Sequence, residues 1–231
     1  MSIYTISDLH LPLGIDKPMD IFGRAWENYV ERIKENWPQL IGSEDTVVLG
    51  GDFSWATYLE EAYEDFKFLE ALPGRKILLK GNHDYWWTTA NKLNKFMEEN
   101  SFKTISFLHN NSYNIDGFGI CGTRGWSLDS TGSEEDKKIY VRELMRLEMS
   151  LDSAKNSGAE KLLVFTHYPP VTAAMQNTEF HKILKKYDVK KCFYGHLHGQ
   201  SHTGAFTGQA DGVEYILTSG DYLGFNPIKI V

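Results

Sequence analysis

Ile77-Leu78-Leu79-Lys80-Gly81-Asn82-His83-Asp84 decides how this chain is read. The apolar run Ile77-Leu78-Leu79 has the length and continuity of a strand buried on both faces. Gly81 lets the backbone turn, and Asn82, His83 and Asp84 follow at the carboxyl end of the strand, where an open α/β sheet receives ligands. Asn offers an amide oxygen and His an imidazole nitrogen to a divalent metal. Taken alone, a Gly-Asn turn followed by His and Asp reads as an ordinary loop.

Working outward, the same design recurs. Ile3 to Ile6 runs into Asp8 and His10, Thr46 to Leu49 into Gly50-Gly51-Asp52, Leu162 to Phe165 into His167, and Cys192 to Tyr194 into His196 and His198. A single histidine of this kind is more often a hydrogen-bonded loop residue than a ligand. Five strand ends carrying metal-capable groups in one topological position point instead to a metal centre. Asp8-Leu9-His10 and His196-Leu197-His198 share an i, i+2 spacing, which in an extended segment aims both side chains the same way. Glycines at 50, 51, 81, 195 and 199 permit sharp turns and close approach to an ion or phosphate. Nitrogen and oxygen donors without cysteine suit Mn, Fe, Zn or Ni rather than a thiolate zinc site.

The remaining pattern alternates strands with amphipathic helices, the signature of α/β layers. A loop is expected from Leu11 to Pro18. Phe22, Ala25, Trp26, Tyr29, Val30 and Ile33 predict a helix that Pro38 stops. Leu59, Ala62, Tyr63, Phe66 and Leu69 predict a second helix, closed by Pro73-Gly74, and Leu93, Phe96 and Met97 a short third. Beyond Thr104 come short strands at Ile105 to Leu108, Ser112 to Ile115 and Phe118 to Cys121, with hairpin chemistry at Asn110-Asn111 and Asp116-Gly117. Leu144, Leu147, Leu151 and Ala154 form a helical stripe with Gly158 as cap, and Phe180, Ile183 and Leu184 mark a shorter helix. The end of the chain is β again around an Asp211-Gly212 turn.

The 231 residues suit one domain over 1–231, and no repeat, linker or low-complexity tract interrupts them. With 42% hydrophobic and 24% charged residues the composition is that of a soluble globular protein, and the net charge of −7 argues against long nucleic acid or a membrane surface as partner. Cys121 and Cys192 form neither a CxxC nor a disulfide framework, which fits a reducing compartment. No stretch of about 18 apolar residues is present, and no basic-then-apolar leader precedes Ile3. A cytoplasmic location is therefore expected. Nothing in the sequence speaks to the oligomeric state.

Asp-x-His, Gly-Asp, Gly-Asn-His-Asp, a later His and Gly-His-x-His, in that order from Asp8 to His198, resemble the calcineurin-like metallophosphoesterase superfamily. The resemblance implies an α/β fold, a two-sheet β-sandwich flanked by helices, with two divalent transition-metal ions at the strand ends. It implies that Asp8, His10 and His198 hold one ion, that Asn82, His167 and His196 hold the other, and that Asp52 bridges them. His83 matches the catalytic histidine, and Asp84 either orients its ring or caps the following helix. The implied activity is a metal-dependent phosphoric ester hydrolase that cleaves a phosphomonoester or phosphodiester through a metal-activated water. Paired divalent ions offset phosphoryl charge and acidify water, and an imidazole suits protonation of the leaving oxygen near pH 7.

Asp52 is followed by Phe53-Ser54-Trp55, so the chain departs from the Gly-Asp-x-Val-Asp-Arg-Gly of the superfamily's protein Ser/Thr phosphatases and is more similar to its small bacterial phosphohydrolases and phosphodiesterases. A small phosphorylated substrate, with nucleotide-like ones among the candidates, is expected over a phosphoprotein. A protein phosphatase, or a non-catalytic metal-binding or scaffold protein on the same fold, is the alternative. Tyr85, Trp86, Trp87, Trp55 and Trp126 are placed to stack on substrate, although packing is expected for at least two of them. Arg124 is either a phosphate clamp or a salt-bridge partner. His109, His181 and His202 lack a partner spacing and read as bland.

Overall fold

The strands that deliver candidate ligands are short and apolar, and each lies parallel to a neighbour. The computed structural model describes residues 1–17, 19–127 and 132–231; Pro18, the end of the loop expected after the first strand, lies outside the described residues. In chain order the strands are β1 (Ile3–Ile6), β2 (Thr46–Leu49), β3 (Arg75–Leu79), β4 (Ile105–Leu108), β5 (Tyr113–Ile115), β6 (Phe118–Thr123), β7 (Lys161–Thr166), β8 (Lys191–Tyr194), β9 (Gly208–Ala210), β10 (Val213–Leu217) and β11 (Ile228–Lys229). The helices are α1 (Tyr29–Leu40), α2 (Tyr63–Ala71), α3 (Ala90–Glu99), α4 (Glu134–Asn156) and α5 (Glu179–Lys186). The class is α/β with two mixed sheets flanked by helices, as the resemblance implied.

The chain divides into two units. The first comprises Met1–Phe107 and Thr218–Val231, with strand order β11-β1-β2-β3-β4. β1, β2 and β3 run parallel, and β11 closes the edge antiparallel to β1. Val47, Leu49 and Leu78 pack with Ile33 and Trp37 of α1, Phe66 and Leu69 of α2 and Leu93 of α3, all of them buried. Each such side chain contributes about 1.5–3 kcal/mol through the water it sheds. Trp37 also donates its Nε1–H to the Pro73 carbonyl at 2.9 Å, tying α1 to the turn before β3.

The second unit, Leu108–Leu217, has strand order β5-β6-β7-β8-β10-β9. Its inner strands β6, β7, β8 and β10 are parallel, and the hairpin strands β5 and β9 are antiparallel edges. Two hairpins turn where expected: Asp116 and Gly117 have φ of 49° and 82°, and Asp211 and Gly212 of 46° and 86°; Asn110-Asn111 makes no hairpin, because β4 and β5 pair in different sheets. Paired positive φ is what a tight right-twisted hairpin requires. Cys121, Val164, Cys192 and Tyr215 pack against Leu147, Leu151 and Ala154 of α4 and Phe180 and Leu184 of α5.

Several boundaries differ from the sequence reading. Pro38 does not stop α1, which runs on to Leu40. Proline removes one backbone donor and crowds the carbonyl four residues back, a tolerable loss in a last turn whose remaining bond, Ile41 N–H to the Trp37 carbonyl, survives at 3.0 Å. The same helix starts later than the apolar spacing indicated, because Asn28 is left-handed (φ 50°) and separates it from a 3-10 turn at Arg24–Trp26. α4 starts at Glu134, well before the first residue of its apolar stripe, Leu144. That start is set by a capping box, with Ser133 Oγ accepting from Asp136 N–H at 3.1 Å and Asp136 accepting from Ser133 N–H at 2.9 Å.

One buried charge in the first unit gives a test. Lys76 of β3 is fully buried, and its Nζ donates to the Leu72 carbonyl and to Thr104 Oγ1. Desolvation pulls its pKa down from 10.5 to about 8, opposed by the Glu70 charge. The folded chain then binds this proton less tightly than the unfolded chain, so its penalty on stability is full below about pH 8 and fades as pH rises towards 10.5. Urea unfolding of metal-free Lys76→Met and the parent at about pH 7.5 and pH 10 should show the parent gaining about 2 kcal/mol relative to the variant across that interval. A constant difference between the two proteins would remove this account of Lys76.

Candidate metal centre

In the first unit the loops leaving β1 and β2 are laced together by backbone hydrogen bonds. Asp8 N–H donates to the Gly51 carbonyl at 2.8 Å, His10 N–H to Asp52 at 2.9 Å, Leu11 N–H to Phe53 at 2.9 Å, and Trp55 N–H back to Leu11 at 3.1 Å. This corrects the expectation of an extended Asp8-Leu9-His10. Asp8 (φ 60°), His10 (φ 45°) and Asp52 (φ 51°) are all left-handed, a conformation costing an L residue roughly 1–2 kcal/mol. Lacing to the neighbouring loop, rather than strand pleat, sets their directions. His196 is left-handed as well (φ 73°). Even so, Asp8 brings a ligand atom within 4.8 Å of one on His10, and likewise on Asp52.

Asp84 organises the turn after β3. Its carboxylate is fully buried and accepts from the backbone N–H groups of Asp52 (2.9 Å), Phe53 (2.9 Å), Ser54 (3.3 Å) and Gly81 (2.7 Å), and from Trp86 Nε1–H (3.1 Å). The helix-cap alternative falls to Thr89, which caps α3. Gly81 is required by the same approach: a Cβ there would run into the Asp52 carboxylate and backbone nitrogen.

Asp52 answers in the other direction. Its Oδ1 accepts from His83 N–H at 2.7 Å, and its Oδ2 lies 3.6 Å from His10 Nε2. Asn82 sits half-buried in the same turn. The His83 ring lies 5.6 Å from that of His10 and 4.7 Å from Trp55, and Trp55 stacks on His10 at 4.5 Å with Lys17 Nζ 3.1 Å from the Trp55 ring centre. Behind the loop, Asp65 ties Leu13 N–H (2.8 Å) and the Ser54 hydroxyl into one buried knot, and burial raises its pKa to about 7.

The second unit brings two candidate imidazoles together. His167, fully buried, donates its N–H to the Arg124 carbonyl at 3.1 Å, and its own carbonyl accepts from Gly195 N–H at 3.1 Å. That link places the start of Gly195-His196-Leu197-His198 beside it, and the His167 and His196 rings are 5.2 Å apart. Tyr168 lies 4.2 Å from His196 and 5.0 Å from Trp126. His202 Nε2 meets the Leu197 carbonyl at 3.0 Å and so steadies the residue between His196 and His198. His181 is held by Tyr215 (2.7 Å) and Asp211 (3.6 Å), the bland role expected of it. Arg124 pairs with Glu143 at 3.6 Å and lies 4.7 Å over the Trp126 ring.

The donor set fits divalent ions. Asp8 and Asp52 are buried carboxylates close to one another and to an imidazole, and neighbouring buried anions are stable only when a cation or donors meet them. Of the five flanking aromatics, Trp86 and Trp87 are core residues, whereas Tyr85 is 64% exposed and Trp55 lies against the candidate ligand His10 and against His83. The Lys17–Trp55–His10 stack, the Asp65 knot and the Tyr168 contact went unnoticed in the sequence. Aromatic residues directly after the Asp52 and His167 motifs were the available signal for two of them.

The Asp84 network predicts that Asp84→Ala, which strands N–H groups of two loops, lowers the stability of the metal-free protein by about 3–5 kcal/mol. Asp84→Asn, keeping one oxygen, should cost less. Denaturant unfolding of both variants checks this, and a loss under about 1 kcal/mol in Asp84→Ala would show that the loops hold without it.

The model of the calcineurin-like phosphoesterase family matches residues 1–200. A comparison with curated proteins finds no match. Among solved structures, a protein of unknown function from Aquifex aeolicus is similar at 20% identity and TM-score 0.53, over 99% of this chain and 95% of that one. A protein of Thermus thermophilus is similar at 14% identity and TM-score 0.54, over 85% and 81%. Those likenesses concern the fold. The family match spans every residue of the motif series from Asp8 to His198, and the chain belongs to the calcineurin-like phosphoesterase family.

Proposed function

We propose that this protein hydrolyses small phosphomonoesters or phosphodiesters with two divalent transition-metal ions, held by Asp8, His10, Asp52, Asn82, His167, His196 and His198. The observation that carries the reading is the Asp52 carboxylate, with one oxygen on His83 N–H and the other near His10 Nε2, beside a second buried carboxylate, Asp8. Divalent ions bound by such donors supply charge to offset the phosphoryl oxygens and to acidify water. His83 hands a proton from its imidazole to the leaving oxygen. Asp52 fixes the backbone from which His83 projects, and Asp84 positions both turns. Trp55 stacks on the His10 ring and lies 4.7 Å from the His83 ring, which restricts how both can turn.

Phe53-Ser54-Trp55 after Asp52 lacks the arginine of the protein phosphatases, which favours a small substrate. A reducing cytoplasmic setting is supported by Cys121 and Cys192, both free and buried, with burial pushing each thiol pKa up to about 12. No helix among the described residues is long and apolar enough to cross a membrane.

Purified protein should bind transition metal and, with manganese supplied, turn over p-nitrophenyl phosphate or its bis ester. Absence of both metal binding and turnover would leave a scaffold protein on this fold. His83→Ala should keep its metal content and slow turnover by about 10²–10⁴-fold, with a smaller defect for activated aryl leaving groups, which need less protonation. Asp52→Asn should lose metal as well as turnover, because an amide would offer a divalent ion neither the charge nor the second strong oxygen of a carboxylate. Metal loss in His83→Ala would instead make His83 a ligand.

A further inference from the structure

The second unit contains a cavity of about 470 Å³ walled by Trp126, Tyr140, Pro170, Val171 and Phe180. That volume lies in the range of pockets for small organic ligands, roughly 300–1,000 Å³. A continuous aromatic strip connects it to the candidate ligands: the Tyr168 ring is 4.2 Å from His196 and 5.0 Å from Trp126, which forms the wall.

The walls are fixed in advance. Trp126 is held by its Nε1–H to Asp136 Oδ1 at 3.3 Å and by the Arg124 guanidinium 4.7 Å over its ring. Arg124 is in turn held by Glu143, fully buried, which also takes Arg146 at 2.7 Å. The Pro170 carbonyl accepts from Thr178 Oγ1 at 2.7 Å, and the same hydroxyl accepts from His181 N–H at 3.1 Å as the cap of α5. Tyr140 meets Phe180 edge to face at 5.2 Å. Ring faces and a proline held this way keep their shape without a ligand, and preorganisation of that kind raises affinity.

We propose that this cavity receives the organic group of the phosphate ester and that the group is a planar aromatic ring, as in a nucleoside phosphate. The inference rests on the phosphoesterase reading and adds to it the substrate class. Flat aromatic walls favour a flat partner, each stacked base being worth about 1–3 kcal/mol. Asn177 and Glu179, which also line the cavity, supply polar groups at its wall. A base edge carries donors and acceptors to meet them, whereas an alkyl chain carries none.

Adenosine is the probe, since without a phosphate it needs no metal. Titration calorimetry on the metal-free full chain should show saturable binding, weakened about tenfold or more in Trp126→Leu and in Tyr140→Leu, which keep apolar bulk and remove the ring. Should Trp126→Leu fail to fold, Tyr140→Leu decides. No adenosine binding, unchanged affinity in Tyr140→Leu, or displacement of adenosine by octyl glucoside would overturn the proposal. Failure of the phosphoesterase reading looks different: no phosphate ester is turned over, while adenosine binding is unaffected.

Discussion

A carboxylate buried without solvent has to be surrounded by donors, and Asp84 meets that demand with the backbone of two loops. Its oxygens gather N–H groups from Asp52, Phe53, Ser54 and Gly81. Charge-assisted hydrogen bonds of this sort are about twice as strong as neutral ones, so the turn after β2 and the turn after β3 behave as one body. The reciprocal bond, His83 N–H to Asp52 Oδ1, locks the pair from the other side. Nothing larger than glycine fits at 81, because the Asp52 carboxylate occupies the space a Cβ would need. The candidate ligands Asp52 and Asn82 and the candidate proton donor His83 thus take their positions from a residue that holds the chain.

That rigidity explains how left-handed Asp8, His10 and Asp52 persist. Strained backbone survives where surrounding bonds over-determine it, and the lacing from Asp8 to Gly51 and from Leu11 to Phe53 does so here. Aspartate tolerates positive φ better than most residues because its short side chain can bond locally; histidine at 10 has the Tyr29 hydroxyl donating to its carbonyl at 2.6 Å and the Trp55 ring stacked on its own. Asp65, behind the same loops, adds its ties to Leu13 and Ser54. Two carboxylates, one for each side of the loop pair, do similar work in different places.

Much of this was legible in the sequence. β2 and β3 are apolar runs of buried-strand length, and the polar clusters at their ends are read directly from the residues. What local pattern does not carry is the partner. Asp84 bonds residues about thirty positions away, and a helix-cap reading was equally consistent with its neighbours. The i, i+2 spacing of Asp8 and His10 suggested a strand pleat, yet hydrogen bonds to the next loop override the local preference and bend both residues left-handed. Pro38 misled for a related reason: the rule against proline concerns helix interiors, and sequence alone does not say how many residues remain in the turn. Trp86 and Trp87 look identical to Trp55 and Trp126 as ring-bearing neighbours of motifs, and only burial separates core from rim.

Charge adds a further constraint on recognition in the proposed reaction. With a net charge of −7, the protein repels a phosphate ester at long range, and screening confines that repulsion to about 8 Å at physiological salt. Attraction therefore has to be local. Arg124 is already engaged by Glu143 and by the Trp126 face, and Lys17 lies over Trp55, so neither cation is spread out for a mobile anion. In the proposed reaction the carboxylate–imidazole set attracts the phosphate's charge through the divalent ions assigned to it. In this arrangement the phosphoryl end depends on metal and the organic end on ring faces.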